Sequence, residues 1–97
     1  MTEKELRDRI RSELEQTGWV CWFAPRVKFL KQQDIFTIWD GVYAKGKEVR
    51  FIQYTTKINK ASHIKKIKDF KEIYKLTHKG ELWLYDGKSN SFEIIIL

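Results

Sequence analysis

The stretch "DIFTIWDGVYAKGKEVRFIQYTTK", residues 34–57, decides the fold of this 97-residue chain. Alternating apolar residues on both sides of the turn "KGK" predict a β-hairpin. In its second strand, Gln53 and Thr55 share a face with Val49 and Phe51, because alternate side chains of a strand point to the same side. An amide and a hydroxyl on an otherwise apolar face indicate either the floor of a polar cleft or bonds to neighbouring backbone groups.

The segments on either side of the hairpin predict alternating helices and strands. The first helix has Thr2 as its N-cap and Gly18 as its stop, with an apolar residue at every fourth position between them. The second helix has an apolar face with a period of about 3.6 residues, formed by Ile64, Ile67, Phe70, Ile73, Tyr74 and Leu76. The predicted elements in chain order are helix 2–16, strand 19–25, strands 38–45 and 48–56, helix 60–78, and strands 81–86 and 91–97.

This order predicts an α/β fold, a single domain over residues 1–97 with a mixed sheet of about five strands flanked by helices. The crossover through the long helix should be right-handed and should make the strands before and after it parallel. The core is expected to contain the four tryptophans, Trp19, Trp22, Trp39 and Trp83. The two histidines, His63 and His78, are expected at the surface.

The composition limits the partners and the compartment. The chain has 19 Lys and Arg against 13 Asp and Glu, a net charge of +6, which favours a polyanionic partner. The single cysteine, Cys21, excludes an internal disulfide and fits a reducing compartment. The charged amino terminus and the short apolar runs predict neither a signal peptide nor a membrane span. We therefore expect a cytoplasmic protein with no membrane partner.

The second helix is dense in lysine and has only two acids, Asp69 and Glu72. A solvated helix usually mixes charges to gain pairs along its surface, so this pattern favours contact with phosphates, although ordinary solubility is the alternative. The amino-terminal end of the helix also offers backbone N–H groups to an anion. The predicted nucleic-acid contacts are Lys57, Asn59, Lys60, His63, Lys65, Lys66 and Lys68.

A set of polar residues in the hairpin forms a candidate site: Asp34, Asp40, Gln53, Thr55 and Lys57. The hairpin turn can bring Asp40 beside Gln53, and carboxylate and amide oxygens are ligands that Mg²⁺ accepts. Lys57 could stabilise charge that develops on a phosphodiester. The spacing by itself fits equally a hydrogen-bonded edge or a capping role.

The hairpin, flanked by a helix and an apolar strand on one side and by a basic helix and "GELWLYDG" on the other, resembles the PD-(D/E)XK nuclease superfamily. Within it, the likeness is to small archaeal Holliday-junction-resolvase-like proteins and their viral or phage relatives. The resemblance implies a restriction-endonuclease-like core of order α-β-β-β-α-β-β. Asp40 would match the metal-binding Asp, and Gln53-Tyr54-Thr55 would take the place of the acid-x-Lys triplet. It further implies Mg²⁺- or Mn²⁺-dependent cleavage of DNA, branched DNA included, by a homodimer.

The chain departs from that pattern in ways that weaken the predicted metal site. Gln53 replaces an acid and Thr55 replaces the lysine, so Lys57 or a lysine of the long helix would have to substitute. Arg7 falls where resolvases carry a Glu on the first helix, with Glu3 one turn earlier on the same face.

The predicted roles are therefore metal binding by Asp40, Gln53 and Asp34, and catalysis by Asp40, Gln53 and Lys57. With fewer carboxylates the metal should bind weakly. Two alternatives stay open. One is a DNA-binding or regulatory protein without catalysis, and the other is an interaction domain that dimerises through the terminal strand "FEIIIL".

Overall fold

The predicted hairpin is the centre of a five-stranded sheet. The computed structural model describes residues 2–25, 35 and 38–97. Its elements in chain order are α1 (Glu3–Gln16), β1 (Val20–Phe23), β2 (Gly41–Lys45), β3 (Glu48–Thr56), α2 (Lys60–Ile73), β4 (Gly80–Asp86) and β5 (Ser91–Ile96). A one-turn 3₁₀ helix, Lys57–Asn59, joins β3 to α2. The predicted α/β class with a mixed sheet and two helices is confirmed.

The strands lie side by side in the order of the sequence, β1 to β5. Strands β3 and β4 are parallel, as predicted from the crossover through α2, and the other neighbours are antiparallel. Lys45 pairs with Glu48 across a two-residue turn in which Gly46 has a φ of 59°. Glycine adopts this left-handed conformation without steric cost, which explains its place in the turn.

Helix α1 covers one face of the sheet. Its predicted N-cap is correct, since the Thr2 hydroxyl accepts a hydrogen bond of 3.1 Å from the backbone N–H of Glu5. Its apolar stripe, Leu6, Ile10 and Leu14, is buried against side chains from β1, β2, β3 and β4. These sheet partners are Phe23, Tyr43, Ile52, Tyr54 and Trp83.

Helix α2 covers the other face but ends at Ile73, five residues before the predicted end at His78. Lys75 has a φ of 56°, and the N–H of Leu76 donates to the carbonyl of Lys71 over 2.8 Å. This is the hydrogen bond of a Schellman motif, which usually has glycine at the left-handed position. Because Lys75 takes this position instead of glycine, the sequence did not indicate that the helix ends here.

The early end of α2 exposes residues that were expected to face the core. Ile73 and Tyr74 are 70% and 63% exposed, so their predicted burial is wrong, whereas Ile67 of the same face is fully buried.

Among the described residues, no helix is long and apolar enough to cross a membrane.

The burial of Trp22 and of His78 differs from the prediction, which placed Trp22 in the core and His78 at the surface. Trp39 and Trp83 are buried, but Trp22 is 53% exposed, because it lies on edge strand β1 on the face away from α1. His78 is partly buried instead of lying at the surface, since its Nε2 accepts a hydrogen bond of 2.8 Å from Nε1 of Trp39.

A buried carboxylate sits under α1, on the opposite face from Trp39. Glu81 accepts hydrogen bonds from the hydroxyl of Tyr43 and from Nε1 of Trp83, and Arg50 lies 3.4 Å away. Burial and the bond to Glu81 raise the pKa of the Tyr43 hydroxyl. Donors on three sides therefore satisfy this carboxylate within the protein.

Close packing of Trp39 against Gly80 yields a test of the core. A Cβ atom at Gly80 would overlap the six-membered ring of Trp39. We expect Gly80→Ala to lower the free energy of unfolding by about 1–3 kcal/mol, because an overfilled core must shift backbone or rotamers. Urea unfolding followed by tryptophan fluorescence measures the loss.

Gly87→Ala is the matched control, because a Cβ at Gly87 has its nearest neighbour 3.9 Å away, on Tyr85. It should stay within about 0.5 kcal/mol of the unaltered protein. Equal stability of both variants would contradict the packing described for Trp39.

Candidate functional site

A cavity of about 360 Å³ opens where β3 ends and α2 begins. Residues from α1, the segment before β2, β3 and α2 contribute to its wall. The polar side chains that line it are Glu3, Asp40, Gln53, Thr55, Thr56, Asn59, His63 and Lys66. The cavity therefore joins three hairpin residues of the predicted site, Asp40, Gln53 and Thr55, with groups from both helices.

Asp40 is held beside β3 by its backbone and by its side chain. Its N–H donates to the carbonyl of Ile52 and its carbonyl accepts from the N–H of Ala24, each over 2.8 Å. Its Oδ2 accepts from the backbone N–H of Tyr54, also over 2.8 Å, and the residue is 7% exposed. Hydrogen bonds from main-chain groups fix this carboxylate at the cavity wall next to residue 53.

Both ends of the Gln53 amide are engaged inside the protein. Its Nε2 donates to the carbonyl of Ile38 over 2.5 Å, and its Oε1 lies 2.6 Å from Nδ1 of His63. The residue is only 3% exposed. The sequence offered two explanations for this amide, a bond to a backbone group and a place in a polar cleft. Both apply, because the amide bonds the carbonyl of Ile38 and also forms part of a polar cavity.

His63 is partly buried at the cavity, which corrects its predicted place at the surface. Burial lowers the pKa of its imidazole, and the nearby positive charge of Lys66 lowers that pKa further. The side chain points to β3 because His63 lies in the first turn of α2, which follows the end of β3 closely. Its link to Gln53 joins residues ten apart in the chain and had no signature in the sequence.

Lys57 is not brought to this cavity. Strand β3 ends at Thr56, and the 3₁₀ turn redirects the chain, so that Nζ of Lys57 lies 3.6 Å from Asp86. Lys57 lines a different cavity, next to Asp86 and Lys88. A lysine of the long helix, Lys66, stands in the cavity of Asp40 instead.

The carboxylates at the cavity come from the hairpin and from α1. Glu3 contributes the second one beside Asp40, and it lies one helical turn before the position that the resemblance indicated. Asp34, the other predicted metal ligand, lies outside the described residues. Within the part of the chain that the structure describes, no cluster of three or more His, Cys, Asp or Glu could hold a metal ion.

Acids from β5 and from α2 itself partly neutralise the lysines predicted to contact nucleic acid. Lys60 pairs with Glu93 of β5 over 2.6 Å, and Lys65 pairs with Asp69 of α2 over 2.5 Å. For Lys66 and Lys68 no ion pair occurs among residues 2–25, 35 and 38–97. The remaining predicted contact, Asn59, lines the cavity with its amide 3.4 Å from the hydroxyls of Thr55 and Thr56.

Comparison of this chain with protein-family models, with curated protein sequences and with solved structures returned no match. The resemblance to the PD-(D/E)XK superfamily therefore stays a prediction that rests on the hairpin motif.

The partly buried imidazole of His63 makes the stability of the fold dependent on pH. Its pKa in the folded state lies below the ordinary value of 6.5, so the unfolded chain binds more protons as the pH falls. We expect the free energy of unfolding to decrease between about pH 7 and pH 5. His63→Gln should reduce this decrease, which urea unfolding at several pH values would measure.

His78 adds a decrease of the same sign, because its pKa is also lowered, by burial and by Lys71. The His63→Gln variant should therefore keep part of the slope. Lys65→Gln is the control, since this exposed lysine does not titrate in that range and should leave the slope unchanged. An unchanged slope in His63→Gln would contradict the described environment of His63.

Proposed function

We propose that this protein binds DNA at the cavity of Asp40 and hydrolyses a phosphodiester there with the help of Mg²⁺ or Mn²⁺. The observation that carries the proposal is the meeting of carboxylates, Asp40 and Glu3, with a cation, Lys66, in one open cavity. A phosphodiester is an anion, so it needs positive charge on one side. The metal that activates it needs hard oxygen ligands on the other.

The donor set fits a weakly bound Mg²⁺ or Mn²⁺. In enzymes Mg²⁺ keeps several waters and is held by one or two carboxylates together with the substrate phosphate, and Asp40 and Glu3 would supply those carboxylates. When bound, the ion would polarise the phosphodiester and lower the pKa of an attacking water. Gln53 supports the cavity wall in this proposal, because both ends of its amide are already bonded.

The chain's own cationic groups would bind and orient the DNA backbone. Lys66 lies at the cavity, and Lys68 follows it on the exposed side of α2. The Asn59 side chain makes no cap bond to α2 and lines the cavity, so its amide can donate to a phosphate oxygen. Lys57, Lys60 and Lys65 can exchange their partly or fully exposed acidic partners for phosphates at low cost, since surface ion pairs contribute about 0–1 kcal/mol.

A second candidate function is DNA binding without hydrolysis. It is favoured by the bond between Gln53 and His63, because the position of the family's acid is here a neutral amide turned toward a helix. Thr55, which stands in place of the family's lysine, also favours binding without hydrolysis. The cation-rich start of α2 would then be the functional surface of a cytoplasmic DNA-binding protein.

We also propose a homodimer through the edge of β5. This strand is at the end of the sheet order, and Ile94 and Ile96 on it are 46% and 57% exposed. Antiparallel pairing about Ile94 would place Phe92 of each copy opposite Ile96 of the other, which gives an apolar, self-complementary row. A two-fold dimer of this kind also suits a branched DNA with two-fold symmetry.

Removal of the Asp40 carboxylate tests the proposed hydrolysis. We expect the unaltered protein to cleave linear or branched DNA in Mg²⁺ or Mn²⁺, and Asp40→Asn to abolish cleavage, because the amide lacks the charge that holds the ion. Labelled oligonucleotides resolved on denaturing gels would report the products. Asp69→Asn, an exposed acid of α2 outside the cavity, is the matched control and should cleave normally.

The same preparations separate the two candidate functions. Binding that weakens steeply with salt, without cleavage by any variant, would support DNA binding alone. No salt-dependent binding would contradict both.

A charge placed on the β5 edge tests the dimer. We expect Ile94→Lys to shift the protein from dimer to monomer in light scattering coupled to size exclusion, because two lysines would face each other across the two-fold axis. Ile73→Lys, at an isoleucine of α2 that is 70% exposed, is the matched control and should stay dimeric. A dimer that survives Ile94→Lys, or a monomeric unaltered protein, would contradict the β5 interface.

A further inference from the structure

We infer that His63 is the group that takes the proton from the attacking water, through its Nε2, and that Gln53 is the residue that positions it. This inference rests on the proposed hydrolysis and assigns a proton acceptor to that reaction. It depends on one chain of contacts, from the carbonyl of Ile38 through the amide of Gln53 to the ring of His63.

The hydrogen bonds determine which ring nitrogen carries the hydrogen. Because Nε2 of Gln53 donates to the carbonyl of Ile38, the amide presents its oxygen to His63. That oxygen can only accept, so Nδ1 of His63 must carry the hydrogen in the bond of 2.6 Å. In the neutral ring the lone pair is then on Nε2, at the far side of the imidazole from β3.

The location of the ring suits a proton acceptor. His63 lines the cavity together with Asp40, which would help to hold the ion, and Lys66, which would attract the phosphate. Among the described residues, Nε2 of His63 has no hydrogen-bond partner that would occupy its lone pair. A water that enters the cavity beside the ring would therefore find this lone pair unoccupied.

The surroundings keep the imidazole neutral at the pH where it would act. Burial and then Lys66 lower its pKa below 6.5, while the carboxylates of Glu3 and Asp40 face the same cavity and oppose that effect. The neutral amide of Gln53 adds no charge. A proton acceptor needs its basic form populated near neutral pH, which a glutamate at position 53 would work against.

This last point offers a reason for the departure from the family's motif. A carboxylate at position 53 would bond Nδ1 of His63, raise the pKa of the imidazole and keep it protonated. The amide keeps the geometry of the bond and leaves the ring basic. In this chain the residue at position 53 would thus position a histidine instead of binding a metal ion.

The proposed step is balanced in atoms and charge. The oxygen of water forms a bond to phosphorus while its proton moves to Nε2 of His63. The bond from phosphorus to the leaving nucleotide oxygen breaks, its electron pair stays on that oxygen, and the oxygen takes a proton from solvent. His63 then returns its proton to solvent, so that the net reaction is a phosphodiester plus water giving a phosphomonoester and an alcohol.

Two measurements on the full chain test the role of His63. The first is nuclear magnetic resonance of the imidazole nitrogens as a function of pH, with His78→Gln to assign the two histidines. We expect the tautomer with hydrogen on Nδ1, a titration midpoint below 6.5, and a higher midpoint in Gln53→Glu.

The second is the dependence of kcat for DNA cleavage on pH. His63→Gln should lower kcat about 100-fold, the lower range for loss of a general base. Gln53→Glu should move the rising limb of the profile to higher pH. His78→Gln is the matched control and should retain kcat, because His78 lies outside the cavity of Asp40.

The outcomes distinguish this inference from the proposed function. Cleavage that requires Asp40 but is unchanged in rate and pH profile by His63→Gln would overturn the inference alone. Hydrogen on Nε2 instead of Nδ1 would also overturn it, whatever the activity. Absence of cleavage by the unaltered protein would overturn the proposed hydrolysis and the role of His63 with it.

Discussion

A buried amide on the central strand, Gln53, ties two other parts of the fold to that strand. Gln53 is almost inaccessible to water, so each end of its side chain must find a partner within the protein. One end bonds the carbonyl of Ile38 before β2, and the other bonds His63 on α2. The amide thereby ties the hairpin to the helix, and the cavity opens between the elements that it joins.

The same constraint gathers opposite charges around one opening. Asp40 is held by the N–H of Tyr54, the residue after Gln53, and Lys66 lies one helical turn after His63. The position of Asp40 follows from its hydrogen bonds to β3, and that of Lys66 from its spacing to His63 along α2. The bond between Gln53 and His63 holds these two elements together at the cavity.

The electrostatics of α2 illustrate how tertiary structure revises a pattern of charges. Along the helix, lysines far outnumber acids, which predicted contact with phosphates. The fold places Glu93 beside Lys60 and Asp86 beside Lys57, from β5 and β4 respectively. Lys66, which lines the cavity, and Lys68 have no ion pair within the part of the chain that the structure describes. The net charge predicted a polyanionic partner. The lysines left without an ion pair indicate where on the molecule that polyanion would bind.

Patterns in the sequence correctly predicted the order of elements, the central hairpin, the N-cap of α1 at Thr2 and the parallel pairing of β3 with β4. These features depend on turn chemistry, capping and periodicity, which act between residues close in the chain. The sequence also indicated that Asp40 and Gln53 belong together, because a tight hairpin leaves few registers.

The three-dimensional structure was needed to show that Glu3 and Lys66 complete the cavity, that Lys57 leaves it, and that Gln53 bonds His63. The place of Lys57 depends on the 3₁₀ turn after β3, and the other contacts depend on how two helices pack on opposite faces of one sheet. Packing of that kind is set by the summed burial of many side chains, so it leaves no local motif in the chain.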